Sequence, residues 1–295
     1  MDYARESNYY TIQIIDYDNT SVTPDQSPVT MKALVLDHLI HGYSIADYPD
    51  YLLYEYLKVF SGVAQYWFQD NPKPAVLHMG GGSYSFPRYI EAIYPGSVND
   101  VIEIDPAVTE IAYQEMGLTK EARITTYNED ARIYLSDKSI RGKYDIVTGD
   151  CFNDLSTPYH LTTVEFDRMV KASMKPGGVY LVNIIDDYYS GTYLPSILNT
   201  LKHSFNYVYL FFGWENTEAI GGSTFVIAAT DRHIDLNDFK TFNAKNGKYG
   251  NLIHFREEKE LEKYLAERNP ILLTDDYAPT DLLVARLSRL RMERR

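Results

Sequence analysis

The chain has 295 residues, 45% apolar and 23% charged, the composition of a globular protein with enough core to fold without disulfides. Its formal net charge of −13 argues against DNA or RNA as the main partner, because binding phosphates needs a basic surface; the lone Cys151 excludes an intrachain disulfide and a cysteine-based zinc cluster. No run of about eighteen apolar residues occurs, and the opening MDYARESNYY lacks the basic-then-apolar order of a signal peptide, so the expectation is a soluble, cytoplasmic protein.

Tyr9 to Ile15 alternates as a strand and Lys32 to Leu36 reads as a second, with a polar stretch between them. Asp50 to Phe68 then repeats apolar and aromatic residues at helical spacing until Asn71, Pro72 and Pro74 break the pattern. Residues 1–70 therefore read as a small β-rich N-terminal subdomain. From Val76 short apolar strands alternate with helices: strand 76–79, helix 87–93, strand 101–104, helix 107–116, strand 124–127, helix 131–135 and strand 144–148. A helix over Thr163 to Ser173 ends at Lys175-Pro176-Gly177-Gly178, and a fifth strand covers Val179 to Ile184. A helix at Leu194 to His203 and strands at Tyr207 to Phe212 and Ser223 to Ala229 follow, the last two joined so briefly that an antiparallel edge is expected. The fold class is α/β: residues 71–235 predict a Rossmann-like, mostly parallel sheet with helices on both faces. Residues 236–295 read as a more polar, partly helical extension packed on that core. Five arginines crowd its end (Arg286, Arg289, Arg291, Arg294 and Arg295), as a solvated helix end or a contact for an anionic surface.

The loop His78-Met79-Gly80-Gly81-Gly82-Ser83-Tyr84-Ser85-Phe86-Pro87 lies between a strand and a helix, where glycines let the backbone approach a ligand and free N–H groups face polar or anionic atoms. Glu103 ends the next strand, 21 residues after Gly82, where an acid commonly accepts hydrogen bonds from ribose hydroxyls. Asp130 ends the third strand and can accept the exocyclic amine of adenine, cap the following helix, or do both. The loop lacks the G-x-G-x-x-G spacing of dinucleotide sites and there is no second mononucleotide half. Adenosine without pyrophosphate points to S-adenosylmethionine. After the fourth strand come Asp150 and Asp154, at the end of the sheet where ligands bind in such folds. His160 beside them is a candidate acid–base group or a loop histidine that hydrogen-bonds locally. A metal site is not expected: His38 and His41 form the only short-spaced histidine pair, and residues three apart on a strand face opposite ways.

Gly-Gly-Gly at the first turn, Glu-Ile-Asp after the second strand, Asp-Ala after the third and an acid-rich loop after the fourth together resemble the spermidine synthase (aminopropyltransferase) family. Leu36-Asp37-His38-Leu39-Ile40-His41 is similar to that family's Leu-Asp-Gly-x-x-Gln strand, and Asp50 to Tyr56 to its Asp-Glu-x-x-Tyr-His-Glu helix. Pro158 to Phe166 and Leu273 to Pro279 resemble most the bacterial spermidine-synthase-like domains often fused to membrane segments. The resemblance implies that Gly80, Gly81 and Gly82 lie beside the donor, Glu103 on ribose, and Asp130 with Ala131 at adenine. It puts Asp150 in the place of the acid that holds and deprotonates the amine, His41 at a donor-contacting glutamine, and Tyr54 at a substrate-side tyrosine. It also implies attack on the carbon beside a sulfonium, release of methylthioadenosine, and a family that often forms homodimers.

Three positions depart from the family pattern. Ser83 replaces an aspartate that helps hold the amino end of decarboxylated S-adenosylmethionine, with Arg88 five residues on, either a surface residue or a partner for a donor carboxylate. The loop after Asp150 lacks Asp-Pro-x-Gly-Pro, and Glu218 to Ala229 lacks the family's Pro-x-Gly-x-Trp, which lines the polyamine channel. The resulting expectation is a transferase that cleaves the sulfonium of intact S-adenosylmethionine, by aminocarboxypropyl transfer or by cyclisation to a lactone. Its alternatives are spermidine synthesis from putrescine, a methyltransferase on the same fold, and a non-catalytic module that binds the cofactor.

Overall fold

The structure is a computed structural model that describes residues 3–23, 25–152, 156–213 and 223–285. At the front, β1 (Tyr3–Glu6), β2 (Thr11–Thr20), β3 (Val29–Leu36) and β4 (Leu39–Ser44) form an antiparallel sheet in that order. The alternation in β2 turns Ile12 and Ile14 inward, where with Leu34 and Leu36 they pack on Val101, Val108 and Ile111 of the main domain. Two expected strands are thus four, because the short β1 and β4 carry too little apolar pattern to stand out.

The hairpin between β3 and β4 turns at Asp37-His38, with Asp37 in the left-handed region (φ 54°) and its carboxylate accepting the Thr11 N–H at 2.9 Å. Leu34 pairs with Gly42 but Val35 with Ile40, so His41 is the extra residue of a bulge. Bulges re-aim side chains, and this one defeats the simple strand argument: His38, in the turn, and His41, at the bulge, line the same cavity.

Helix α1 (Glu55–Trp67) starts five residues later than the spacing from Asp50 suggests and is buried almost all round. The second sheet follows with β5 (Ala75–Met79), α2 (Ser85–Ile93), β6 (Val98–Ile102), α3 (Pro106–Gln114), β7 (Ile124–Tyr127), α4 (Ala131–Leu135), β8 (Tyr144–Gly149), α5 (Val164–Ser173), β9 (Met174–Asp186), α6 (Tyr193–Lys202), β10 (Tyr207–Phe212) and β11 (Ser223–Thr230). The extension adds α7 (Leu236–Asn246), β12 (His254–Phe255) and α8 (Glu258–Arg268), and residues 280–285 are helical. The arginine-rich end lies outside the described residues.

Strand order is β12-β10-β11-β9-β8-β5-β6-β7, parallel from β9 to β7 and antiparallel at β11, β10 and β12. This is the Rossmann-like sheet of class I methyltransferases. Neighbouring strand residues bury on opposite faces: Leu77 and Val147 join α4, α5, α6 and α8, while Val76 and Ile146 join α1, α2 and α7. The Lys175-Gly178 stretch, where the helix was expected to end, is an irregular start to β9 between the pairings Tyr144 with Met174 and Ile146 with Val179. Among the described residues no helix is long and apolar enough to cross a membrane.

Candidate active site

The chain leaves β5 toward β6 on one side while β8 lies on the other, so a crevice opens beyond the carboxyl ends of β5 and β8. Both walls are held by backbone bonds: the Gly80 N–H donates to the Ile102 carbonyl and the Asp150 N–H to the Met79 carbonyl, each at 2.9 Å. Gly80 sits at φ +95°, and a Cβ there would collide with the Asp150 carbonyl, so this position requires glycine. Tyr84, left-handed at φ 55°, ends the loop with its phenol buried between the Thr109 and Thr126 hydroxyls, both at 3.1 Å.

Glu103 is only 7% exposed and organises this loop. One carboxylate oxygen accepts the Gly81 and Gly82 N–H groups at 2.9 and 3.1 Å, and the other accepts the Asp105 N–H at 3.0 Å. Burial pushes its pKa up, against the pull of these three donors.

A cavity of about 460 Å³ opens between the glycine loop, the β4 hairpin, the start of α1 and the ends of β8 and β9. A smaller one of about 100 Å³, containing Glu103, Asp130, Ala131 and His160, shares His41, Gly80, Gly82, Asp150 and Phe152 with it. The two together make one elongated site. Tyr10 of the N-terminal sheet reaches over, its hydroxyl donating to the Phe152 carbonyl at 3.3 Å.

Asp150 stands where the two cavities meet, half-buried, one residue beyond the end of β8. The Tyr56 hydroxyl donates to its Oδ2 and the Asn183 amide to its Oδ1, both at 2.8 Å. Burial raises its pKa above the ordinary carboxylate value, while both donors pull the other way. Tyr56 is itself buried, and burial first, then the Asp150 charge, holds its phenol protonated. The sequence reading missed Tyr56 and Asn183. Asn183 did carry a signal, as a polar residue inside the apolar run of β9, where a buried amide needs a partner.

Tyr54 lines the larger cavity from the N-cap of α1; its hydroxyl donates to the Ile40 carbonyl at 2.8 Å, and its ring lies against Tyr43 and Tyr56. Ser83 also lines it, with its hydroxyl 2.8 Å from that of Ser85, which in turn donates to the Tyr43 carbonyl. His78, 1% exposed at the cavity floor, pairs with Asn99, and burial pulls its pKa down to about 4, so the ring is neutral.

The structure sorts the remaining expectations. Arg88 is no partner for a ligand: it is 6% exposed and donates to the Ser44 hydroxyl at 2.6 Å and to the Met116 and Ala46 carbonyls at 2.9 and 2.6 Å. The periodicity of α2 places it on the face toward β4 and the end of α3, away from the cavity. His160 is paired with Asp130, Nε2 to Oδ2 at 2.8 Å, rather than with Asp150, so it belongs to the smaller cavity. The other Asp130 oxygen caps α4 through the Arg132 and Ile133 N–H groups at 2.8 and 3.1 Å, so the capping role holds. Asp154 and residues 218–222 lie outside the described residues. Among the described residues no group of three or more His, Cys, Asp or Glu side chains is placed to hold a metal ion.

Residues 66–238 match the family model described as the spermine/spermidine synthase domain. A polyamine aminopropyltransferase of Vibrio vulnificus is 35% identical over 130 residues, 42% of this chain and 44% of that protein. A probable polyamine aminopropyl transferase of Bifidobacterium longum is 33% identical over 116 residues, 39% of this chain and 25% of that protein. The human eEF1A lysine and N-terminal methyltransferase is 27% identical over 121 residues, 38% of this chain and 17% of that protein. The chain thus spans less than half the length of each of these relatives. In fold it is similar to the crystal structure of a probable spermidine synthase from Corynebacterium glutamicum, with a TM-score of 0.75 at 19% identity over 92% of this chain and 96% of that one.

Proposed function

The chain belongs to the spermine/spermidine synthase family, and on that premise we propose that it transfers an aminopropyl group from the sulfonium of decarboxylated S-adenosylmethionine to an amine, releasing methylthioadenosine. The observation that carries this is Asp150, a half-buried carboxylate with raised pKa held from both sides at the junction of the two cavities. A sulfonium already leaves readily, so the protein's task is to hold an amine in line and remove its proton. In this reading the ammonium gives its proton to Asp150, and the freed lone pair forms the N–C bond. The C–S bond breaks with its electron pair going to sulfur, and the proton passes from Asp150 to solvent. Gly80, Gly81 and Gly82 approach the nucleoside and Glu103 holds the ribose. Ala131 with Asp130 and His160 bounds the adenine, while His41, Ser83 and Tyr54 face the reacting chain.

Intact S-adenosylmethionine is the weaker donor, since the guanidinium that was to meet its carboxylate is spent on Ser44, Ala46 and Met116. The lactone route loses the same support. Incubation with decarboxylated donor plus 1,4-diaminobutane, and separately with S-adenosylmethionine alone, followed by chromatography of the nucleosides, tests the proposal. Methylthioadenosine only in the first reaction supports it. Methylthioadenosine from the intact donor alone, or S-adenosylhomocysteine as product, refutes it.

A further inference from the structure

The segments Pro158 to Phe166 and Leu273 to Pro279 meet in the fold, and the second has no part in the chemistry above. Leu273 is fully buried, and its carbonyl accepts the Val164 N–H at 2.9 Å. Thr274 and Tyr277 exchange backbone hydrogen bonds at 3.0 and 2.9 Å, so Asp275 stands on a closed two-residue turn. Its carboxylate accepts the Thr163 hydroxyl at 2.7 Å and takes Arg132 as a fork, with Nη1 at 2.8 Å on one oxygen and Nη2 on the other. The same Nη1 donates to the His160 carbonyl at 2.8 Å, so Arg132 ties His160 to Asp275. Pro158, His160 and Leu161 wall the smaller cavity. A carboxylate can only accept, so the 2.8 Å contact between His160 and Asp130 Oδ2 is donated by Nε2, and that oxygen keeps one lone pair.

We propose that Asp275 is a positioning residue for the nucleoside: by holding the Arg132 guanidinium on His160 and away from Asp130, it keeps an Asp130 lone pair free for the 6-amino group of adenine. The proposal rests on the nucleoside site of the aminopropyl-transfer reading and deepens it by putting base selectivity under the control of the C-terminal extension. Arg132 lies two residues past Asp130, on the helix that Asp130 caps, and the charges of Glu165 and Asp130 act on it as well as that of Asp275. Glu165 is already engaged, accepting the Asp275 N–H at 3.0 Å. Released from Asp275, the guanidinium therefore turns to Asp130 and fills the lone pair that the adenine amine needs. A 6-oxo base presents an acceptor there instead of a donor, so it loses nothing in that exchange.

The test is calorimetric titration of the full chain with methylthioadenosine and with methylthioinosine, its 6-oxo counterpart. The unsubstituted protein is expected to favour methylthioadenosine by about tenfold or more, the discrimination that one hydrogen bond to a charged group gives. Asp275→Ala is expected to cut that ratio by about fivefold or more, through weaker methylthioadenosine binding with methylthioinosine binding kept. A residue that merely holds the fold would weaken both nucleosides alike, so an unchanged ratio overturns the inference, as does a ratio near one in the unsubstituted protein. If Asp275→Ala does not fold, as loss of its cooperative thermal transition would report, Asp275→Asn is judged by the same ratio. Failure of the unsubstituted protein to bind either nucleoside overturns the aminopropyl-transfer reading instead.

Discussion

Tyr56→Phe isolates the hydrogen bond to Asp150. The ring remains to pack edge-on against Phe60, at 5.6 Å between centroids, so the apolar burial of α1 is kept and only the donor at 2.8 Å is lost. A hydrogen bond to a charged group contributes about 1.5–3 kcal/mol. This one favours the ionised form of Asp150, and at about 1.4 kcal/mol per pH unit its loss raises the Asp150 pKa by roughly one to two units. The carboxyl already lies above its ordinary value through burial, and it must be ionised to take the amine's proton. The rate therefore falls as pH drops through its pKa, and the acid limb of the methylthioadenosine-release profile should move upward by that one to two units. The alkaline plateau should stay within about threefold if Tyr56 acts only through Asp150. A limb that does not move, with the rate lowered equally at every pH, would refute this and place the Tyr56 hydroxyl against the reacting groups themselves.

Glu103→Gln leaves one acceptor where three N–H groups need two, so methylthioadenosine affinity by calorimetry should fall about 10- to 100-fold. Arg88→Met strands the Met116 and Ala46 carbonyls and should cost about 3 kcal/mol in denaturant unfolding with nucleoside affinity unchanged; lost donor affinity at full stability would restore a ligand role. Asp186, 1% exposed, has its pKa raised by burial to about 6. The fold thus binds this proton more tightly than the unfolded chain, whose carboxyl titrates near about 4. Its contribution is full below that value and is lost as pH rises toward 6, on the order of 3 kcal/mol. Asp186→Asn should flatten the fall of unfolding free energy between those values, and an unchanged slope would show that Asp186 is not its source.

Residues that act through the backbone were legible in the sequence. The glycine loop, Glu103 and Asp130 lie at strand ends in a strand–helix alternation, and a strand end fixes position in space to within a residue or two. Side chains meeting across long sequence separations were not. Tyr56 reaches Asp150 over 94 positions and Asn183 over 33, and no local pattern encodes either meeting. His41 was legible in identity but not in direction, because the bulge that re-aims it depends on the pairing of β3 with β4. Arg88 failed for the opposite reason. Proximity along the chain suggested a ligand contact, yet helical periodicity carried it to a face closed by the N-terminal sheet, where three acceptors were waiting.

Ser83 changes meaning in the same light. From sequence it stood for a lost acid and hence for a different donor. In the fold its hydroxyl joins that of Ser85, Ser85 donates to the Tyr43 carbonyl, and the Ser83 side chain lies so close to Gly42 that a Cβ there would collide with it. The glycine loop and β4 are therefore clamped together through Ser83, Ser85 and Gly42, at the strand that also carries His41 into the cavity. A longer, charged side chain at this position would have to displace β4 or turn into the cavity. A small hydroxyl residue is thus explained by packing alone, and the absence of an acid at this position does not by itself favour a carboxylate-bearing donor. With Arg88 also committed elsewhere, both residues that suggested intact S-adenosylmethionine have structural reasons to be what they are. The site then rests on Asp150 and the two groups that hold it, which favours an amine acceptor.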